Sequence, residues 1–139
     1  MRPIMFVKYP RTPHLEGSRL QDGDTSDDQI SLKEVNELGA NLVWEEKVDG
    51  ANTGISFAND VLQLQSRGHV LIGGAREGQF NLFKSWATAK SDDLYCILGN
   101  RYVMYGEWCY AKHSVFYDAL PHYFLEFDLY DKETNKWLD

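Results

Sequence analysis

The 139-residue chain carries 43 % hydrophobic and 14 % aromatic residues with no long polar tract, which excludes a disordered chain and allows a folded core. A formal net charge of -7 and a sequence pI of 5.0 exclude capture of nucleic acid by a broadly basic face, so any such contact is local. Cys96 and Cys109 are too few for a disulfide framework, Met1-Arg2-Pro3 does not open a signal peptide, and no apolar run approaches the ~20 residues of a membrane span; we expect a soluble, cytoplasmic protein with no membrane association.

In chain order, Ile4 to Val7 reads as a first strand. Pro10 and Pro13 then fix an extended path that displays Lys8 and Arg11. Two readings fit this basic stretch: a phosphate or nucleic-acid contact, and an ordered loop with solvated charges. Asp22 to Asp28 is acidic and turn-rich, hence an exposed loop. Ser31 and Glu34 make a capping box for a short helix whose apolar stripe is Leu32, Val35 and Leu38, with Gly39 placed to cap its end.

Asn41 to Val48 is rich in strand formers and Thr53 to Phe57 reads as a second strand, with Asp49-Gly50 as the turn signal between them. Asn59-Asp60 turns the chain into Val61 to Arg67, where alternation buries Leu62 and Leu64 and puts Gln63, Gln65 and Arg67 on the other face. Gly68 through Gly78 reads as a mobile loop beside a site and lacks the Gly-Lys-Ser/Thr of a phosphate-binding loop. Phe80, Phe83, Ala87 and Leu94 recur at helical spacing, which predicts one main helix from Gln79 to about Leu98, ended by Gly99-Asn100. Arg101 to Tyr105 reads as a central strand, Tyr123 to Tyr130 as another, and Lys136 to Leu138 as the start of a third after a turn at Asp131 to Asn135. His14, His69, His113 and His122 form no zinc-binding spacing, and the metal ligands are left unassigned.

Four marks stand in order along this chain: Lys47-x-Asp49-Gly50-x-Asn52, Ser66-Arg67-Gly68, Tyr105-Gly106-Glu107-Trp108 and Phe127-Asp128-Leu129-Tyr130. The ordered set resembles the covalent nucleotidyltransferase superfamily and, within it, the ATP-dependent RNA ligases. The stretches Lys8-Tyr9-Pro10-Arg11-Thr12-Pro13-His14 and Glu107 to Ser114 are also similar to bacterial RNA-repair ligases, including the ligase module of bacterial polynucleotide kinase-phosphatases.

The resemblance implies that Lys47 attacks ATP to form a lysine-AMP intermediate, with Mg2+ or Mn2+ on the phosphates, and that AMP then activates a 5'-phosphate RNA end for sealing to a 3'-hydroxyl. It implies Glu46 at the adenine edge, Glu107 at the ribose and Phe127 stacked on adenine. Arg67 would contact ribose or the RNA end, Asn52 would arrange phosphate, metal or RNA terminus, and Asp49 and Gly50 would support the loop. The residues themselves leave alternatives open. Phe127 shares an alternation with Leu125 and Leu129 and fits a core position, Glu107 fits a solvated charge, and strand alternation would put Glu45, Lys47 and Asp49 together, an environment that favours protonated lysine.

We therefore expect an α+β fold of twisted, mainly antiparallel sheets with one long and one short helix. The chain would be a single domain spanning 1–139, the N-terminal portion of an ATP-grasp-like adenylylation domain. The family's later Glu-Gly strand and lysine pair do not appear before Asp139. A piece without them is expected to adenylylate poorly alone, to need the remaining part of a ligase or a partner chain, or to be a catalytically silent module that binds nucleotide or RNA ends.

Overall fold

The computed structural model describes residues 6–20, 22–39, 41–110 and 117–138. They fall into two compact units, one formed by residues up to Tyr9 together with those from Val48 onward, the other by Pro10–Lys47.

In the Pro10–Lys47 unit, β1 (His14–Leu15) pairs in parallel with β2 (Gln29–Ile30), and a turn of 3-10 helix at Ser26–Asp28 joins them. Helix α1 (Leu32–Glu37) starts as its capping box predicts: the Ser31 N–H donates to Glu34 Oε2 at 2.8 Å and the Glu34 N–H to Ser31 Oγ at 3.1 Å. Gly39, at φ +63°, follows it in the left-handed conformation that an L side chain resists. Arg11 is ion-paired with Asp24 and lies 3.8 Å from Asp28, so its charge is neutralised by the acidic loop of its own unit. The loop reading, rather than a displayed phosphate contact, holds for this arginine.

The expected strand at Asn41 to Val48 does not form. Residues 41–49 have no regular structure, and Val43 and Trp44 are 82 % and 79 % exposed. Strand propensity acts through pairing and burial, and no ladder is supplied to this segment. Glu45, Lys47 and Asp49 are consequently not grouped on a face by strand alternation.

The larger unit is built on a five-stranded, wholly antiparallel sheet in the order β4-β3-β5-β6-β7. Its strands are β3 (Ala51–Ala58), β4 (Val61–Ser66), β5 (Tyr102–Trp108), β6 (Phe124–Asp131) and β7 (Lys136–Leu138). Asn59 and Asp60, at φ +50° and +64°, make the two-residue hairpin that joins β3 to β4, because paired positive φ angles match the twist of the strands. β5 lies at the centre, as its apolar sequence predicts. Phe6 and Val7 belong to no strand; the rest of the expected first strand, Ile4 and Met5, lies outside the described residues.

One face of the sheet carries the core. Ile55, Phe57, Leu64, Trp108 and Phe124 pack there with Phe80, Phe83, Ala87, Leu94 and Leu98 from the helical segment. That segment is not one helix. A 3-10 stretch at Ala75–Phe80 leads into α2 (Asn81–Ala89), and α3 (Ser91–Leu98) follows after Lys90 leaves helical geometry at φ -101°, ψ 11°. The apolar period runs straight across the break, so spacing does not reveal it. Asp92 and Asp93 occupy the first turn of α3, where acidic residues complement the helix dipole.

Candidate functional site

The opposite face of the sheet is organised in rows, because residues directly paired across antiparallel strands point the same way. Asn52, Glu107 and Leu125 form one row across β3, β5 and β6; Gln65, Gly54, Tyr105 and Asp128 form the next across β4, β3, β5 and β6. Arg67 follows β4 immediately and is exposed. The four marks noted in the sequence thus contribute to one face: Asn52 from the first, Arg67 from the second, Glu107 from the third and Phe127 from the fourth.

Phe127 reaches this face because the β5–β6 ladder is irregular. Tyr105 pairs with Asp128 but Gly106 pairs with Glu126, which leaves Phe127 as the extra residue of a bulge. Simple alternation would keep Phe127 with Leu129. Instead Leu129 packs against the core, whereas the Phe127 ring lies 5.2 Å from that of Tyr9 on the other side. Phe127 thus lies outside the main core cluster and packs against Tyr9.

A short strap, Phe6–Tyr9, crosses the second row. The Val7 carbonyl accepts hydrogen bonds from Gln65 Nε2 at 2.9 Å and from Tyr105 Oη at 2.5 Å. Gly54 permits this closure, since a Cβ there would stand 2.7 Å from Gln65 Cγ and 3.3 Å from the Tyr105 ring. The Tyr9 hydroxyl donates to Asp128 Oδ2 at 2.5 Å. Burial, followed by that hydrogen bond, pushes the Tyr9 phenol well above its ordinary range; the nearby charge of Arg67 pulls it down and that of Glu107 raises it. Tyr9, Arg67, Glu107 and Asp128 therefore share one electrostatic neighbourhood.

Beside the strap, the Asn52 amide carries a buried Oδ1 that no described group satisfies. Such an acceptor costs free energy unless something donates to it. Glu107, its direct cross-strand partner, is half-buried.

Asp49 and Gly50 are placed otherwise than a hairpin requires. The Asp49 N–H donates to Tyr117 Oη at 2.8 Å, and Gly50 is absent from the positive-φ glycines. A Cβ on Gly50 would stand 2.6 Å from the Trp108 carbonyl oxygen and 3.0 Å from Cys109 Sγ, so this glycine serves close packing against β5. Burial, then the charges of Glu107 and Asp49, push the Cys109 thiol up.

Glu46 and Lys47 belong to the Pro10–Lys47 unit and are both exposed there. The Gly68–Gly78 loop is tied down rather than free: the buried Glu77 carboxylate accepts from Lys84 Nζ at 2.6 Å and from the N–H groups of Ile72 and Gly73 at 3.1 and 2.8 Å. Ala111 to Ser114, part of the family-like stretch that includes His113, lies outside the described residues. Sequence reasoning quoted Tyr9, Asp128 and Gln65 but gave none of them a role at the site. Tyr9 sits between the two residues of its stretch that were weighed for charge, and only its aromatic character could have singled it out. Among the described residues no group of three or more His, Cys, Asp or Glu could hold a metal ion.

A family model described as RNA ligase matches residues 40–139. The chain belongs to the RNA ligase family. Its matched segment contains Lys47, Asn52, Arg67, Glu107 and Phe127 and leaves out the strap. Comparison with curated proteins and with solved structures gave no match. No helix among the described residues of this RNA ligase family member is long and apolar enough to cross a membrane.

Proposed function

We propose that this chain carries the adenylylation chemistry of an ATP-dependent RNA ligase. The observation that carries the proposal is the row Asn52–Glu107 beside Phe127: a buried acceptor without a partner, a carboxylate and an aromatic ring on one sheet face. These groups suit a nucleoside, with the ring stacking on the base, Glu107 accepting from ribose hydroxyls and Asn52 meeting a donor on the ligand. Glu46 would read the adenine edge and Arg67 the ribose or the RNA end.

In the proposed reaction the Lys47 amine attacks the α-phosphorus of ATP, a P–N bond forms, and pyrophosphate leaves with the electron pair of the broken P–O bond. The AMP then passes from Lys47 to the 5'-phosphate of an RNA end, and the attack of a 3'-hydroxyl displaces AMP and seals the strand. Only a neutral amine is a nucleophile, so Lys47 must lose its proton before it attacks. Mg2+ or Mn2+ carried on the triphosphate supplies positive charge to the departing pyrophosphate.

Incubation of the full chain with ATP and either metal, followed by intact mass measurement, tests this. One added AMP that is absent in Lys47→Ala and stripped by pyrophosphate supports the enzyme. ATP binding without an adduct supports instead a silent module that binds nucleotide or RNA ends, and absence of both sinks the nucleotide reading.

A further inference from the structure

The segment that carries Lys47 is weakly anchored along its length. Residues 41–48 form no helix or strand, and none of them makes a hydrogen bond or ion pair among the described residues. The first tie comes at Asp49, whose N–H donates to Tyr117 Oη at 2.8 Å across 68 residues of sequence. Gly50 follows, packed closely against the Trp108 carbonyl.

We infer that Tyr117 is a positioning residue for Lys47: its phenol fixes the C-terminal end of the Lys47 segment and so limits the backbone positions from which the amine acts. The inference rests on the reading of Lys47 as the nucleophile. Lys47 precedes Asp49 by two residues, a chain length of at most about 7 Å, so an anchor at Asp49 bears directly on where the Lys47 backbone can be. A nucleophile held close to its attack position reacts faster than one gathered from many conformations. The phenol meets the backbone of Asp49, so this anchor does not depend on what the Asp49 carboxylate engages.

The contact can be removed without disturbing the core. Tyr117 is half-buried, lies outside the main core cluster and lines an open cavity of about 360 Å³ with Pro121, His122 and Tyr123. Tyr117→Phe keeps the ring and deletes the acceptor. Two measurements on the full chain then test the inference, one of them independent of catalysis. Hydrogen–deuterium exchange at the Asp49 amide should rise about three- to tenfold, the size of one lost hydrogen bond, while exchange in β3, β5 and β6 and the melting temperature stay unchanged. The Lys47-AMP adduct, followed by intact mass with saturating ATP and Mg2+ or Mn2+, should form about three- to tenfold more slowly. ATP affinity by titration calorimetry should stay within about twofold. Tyr123→Phe removes a phenol that makes no hydrogen bond among the described residues and should change neither measurement.

Unchanged exchange at Asp49, or faster exchange with an unchanged adduct rate, would overturn the inference. So would a lowered melting temperature with ATP affinity and adduct rate falling together, which marks a contribution to folding alone. Each of these leaves the Lys47 reading intact. An unaltered chain that forms no adduct removes that reading and the inference with it.

Discussion

Replacing Gly50 by alanine should destabilise the sheet unit even though alanine is otherwise the more favourable residue. The added Cβ would stand 2.6 Å from the Trp108 carbonyl oxygen, about 0.7 Å inside the ~3.3 Å at which carbon and carbonyl oxygen normally meet. The obstacle is the backbone of the central strand, so a rotamer change cannot relieve it. Overpacking of this kind costs about 1–3 kcal/mol, and the lower entropy of an unfolded alanine returns ~0.4–1 kcal/mol. A net loss of about 1–2 kcal/mol is expected. Urea unfolding followed by tryptophan fluorescence is a suitable assay, since Trp108 is only 2 % exposed and sits at the contact. Gly50→Asn separates sterics from turn geometry: asparagine tolerates positive φ and would be accepted in a hairpin turn, but here its larger side chain should cost at least as much as alanine. A Gly50→Asn variant as stable as the original chain, with Gly50→Ala clearly weaker, would refute the packing explanation.

Three other outcomes are expected. Phe83→Ala should cost about 3–5 kcal/mol in the same assay, because a ring with no exposed surface, 5.3 Å from Trp108, is removed from the core. Tyr105→Phe should cost only ~0.5–1.5 kcal/mol, since the Val7 carbonyl that loses the phenol keeps its bond from Gln65. The bond from Lys84, against an opposing effect of burial and with help from two backbone N–H groups, holds the Glu77 carboxyl down at about 2 in the fold. Its unfolded value is near 4.3, so the contribution of Glu77 is complete above that pH and is lost as pH falls toward 2; melting temperatures over this window should fall less steeply in Glu77→Gln.

Much of the larger unit was legible because the signals were local. The Asn59-Asp60 hairpin, the apolar run of β5 and the stripe Phe80, Phe83, Ala87 and Leu94 each state their outcome within a few residues. The failures share a cause in non-local geometry. Leu42, Val43 and Trp44 have strand chemistry but no pairing partner, and Lys90 breaks a helix whose period continues unbroken. Asp49-Gly50 spells a turn, yet Gly50 is held against a strand more than fifty residues away. At the site, Asn52, Arg67, Glu107 and Phe127 were named from the ordered marks, but the place of Phe127 depends on a bulge in β6 that simple alternation does not encode. Tyr9 was hidden for the same reason, since its partners lie in strands formed much later in the chain.

That distance has a consequence for how the molecule comes into being. Tyr9 and Asp128 are separated by 119 residues, so during synthesis the start of the chain leaves the ribosome long before its hydrogen-bonding partner exists. Contacts of such long range carry a loop-closure cost and form late. The nascent chain therefore presents Gln65 and Tyr105 uncovered once β4 and β5 have formed, and the wall that holds Tyr9 is completed only after Asp128 has been made.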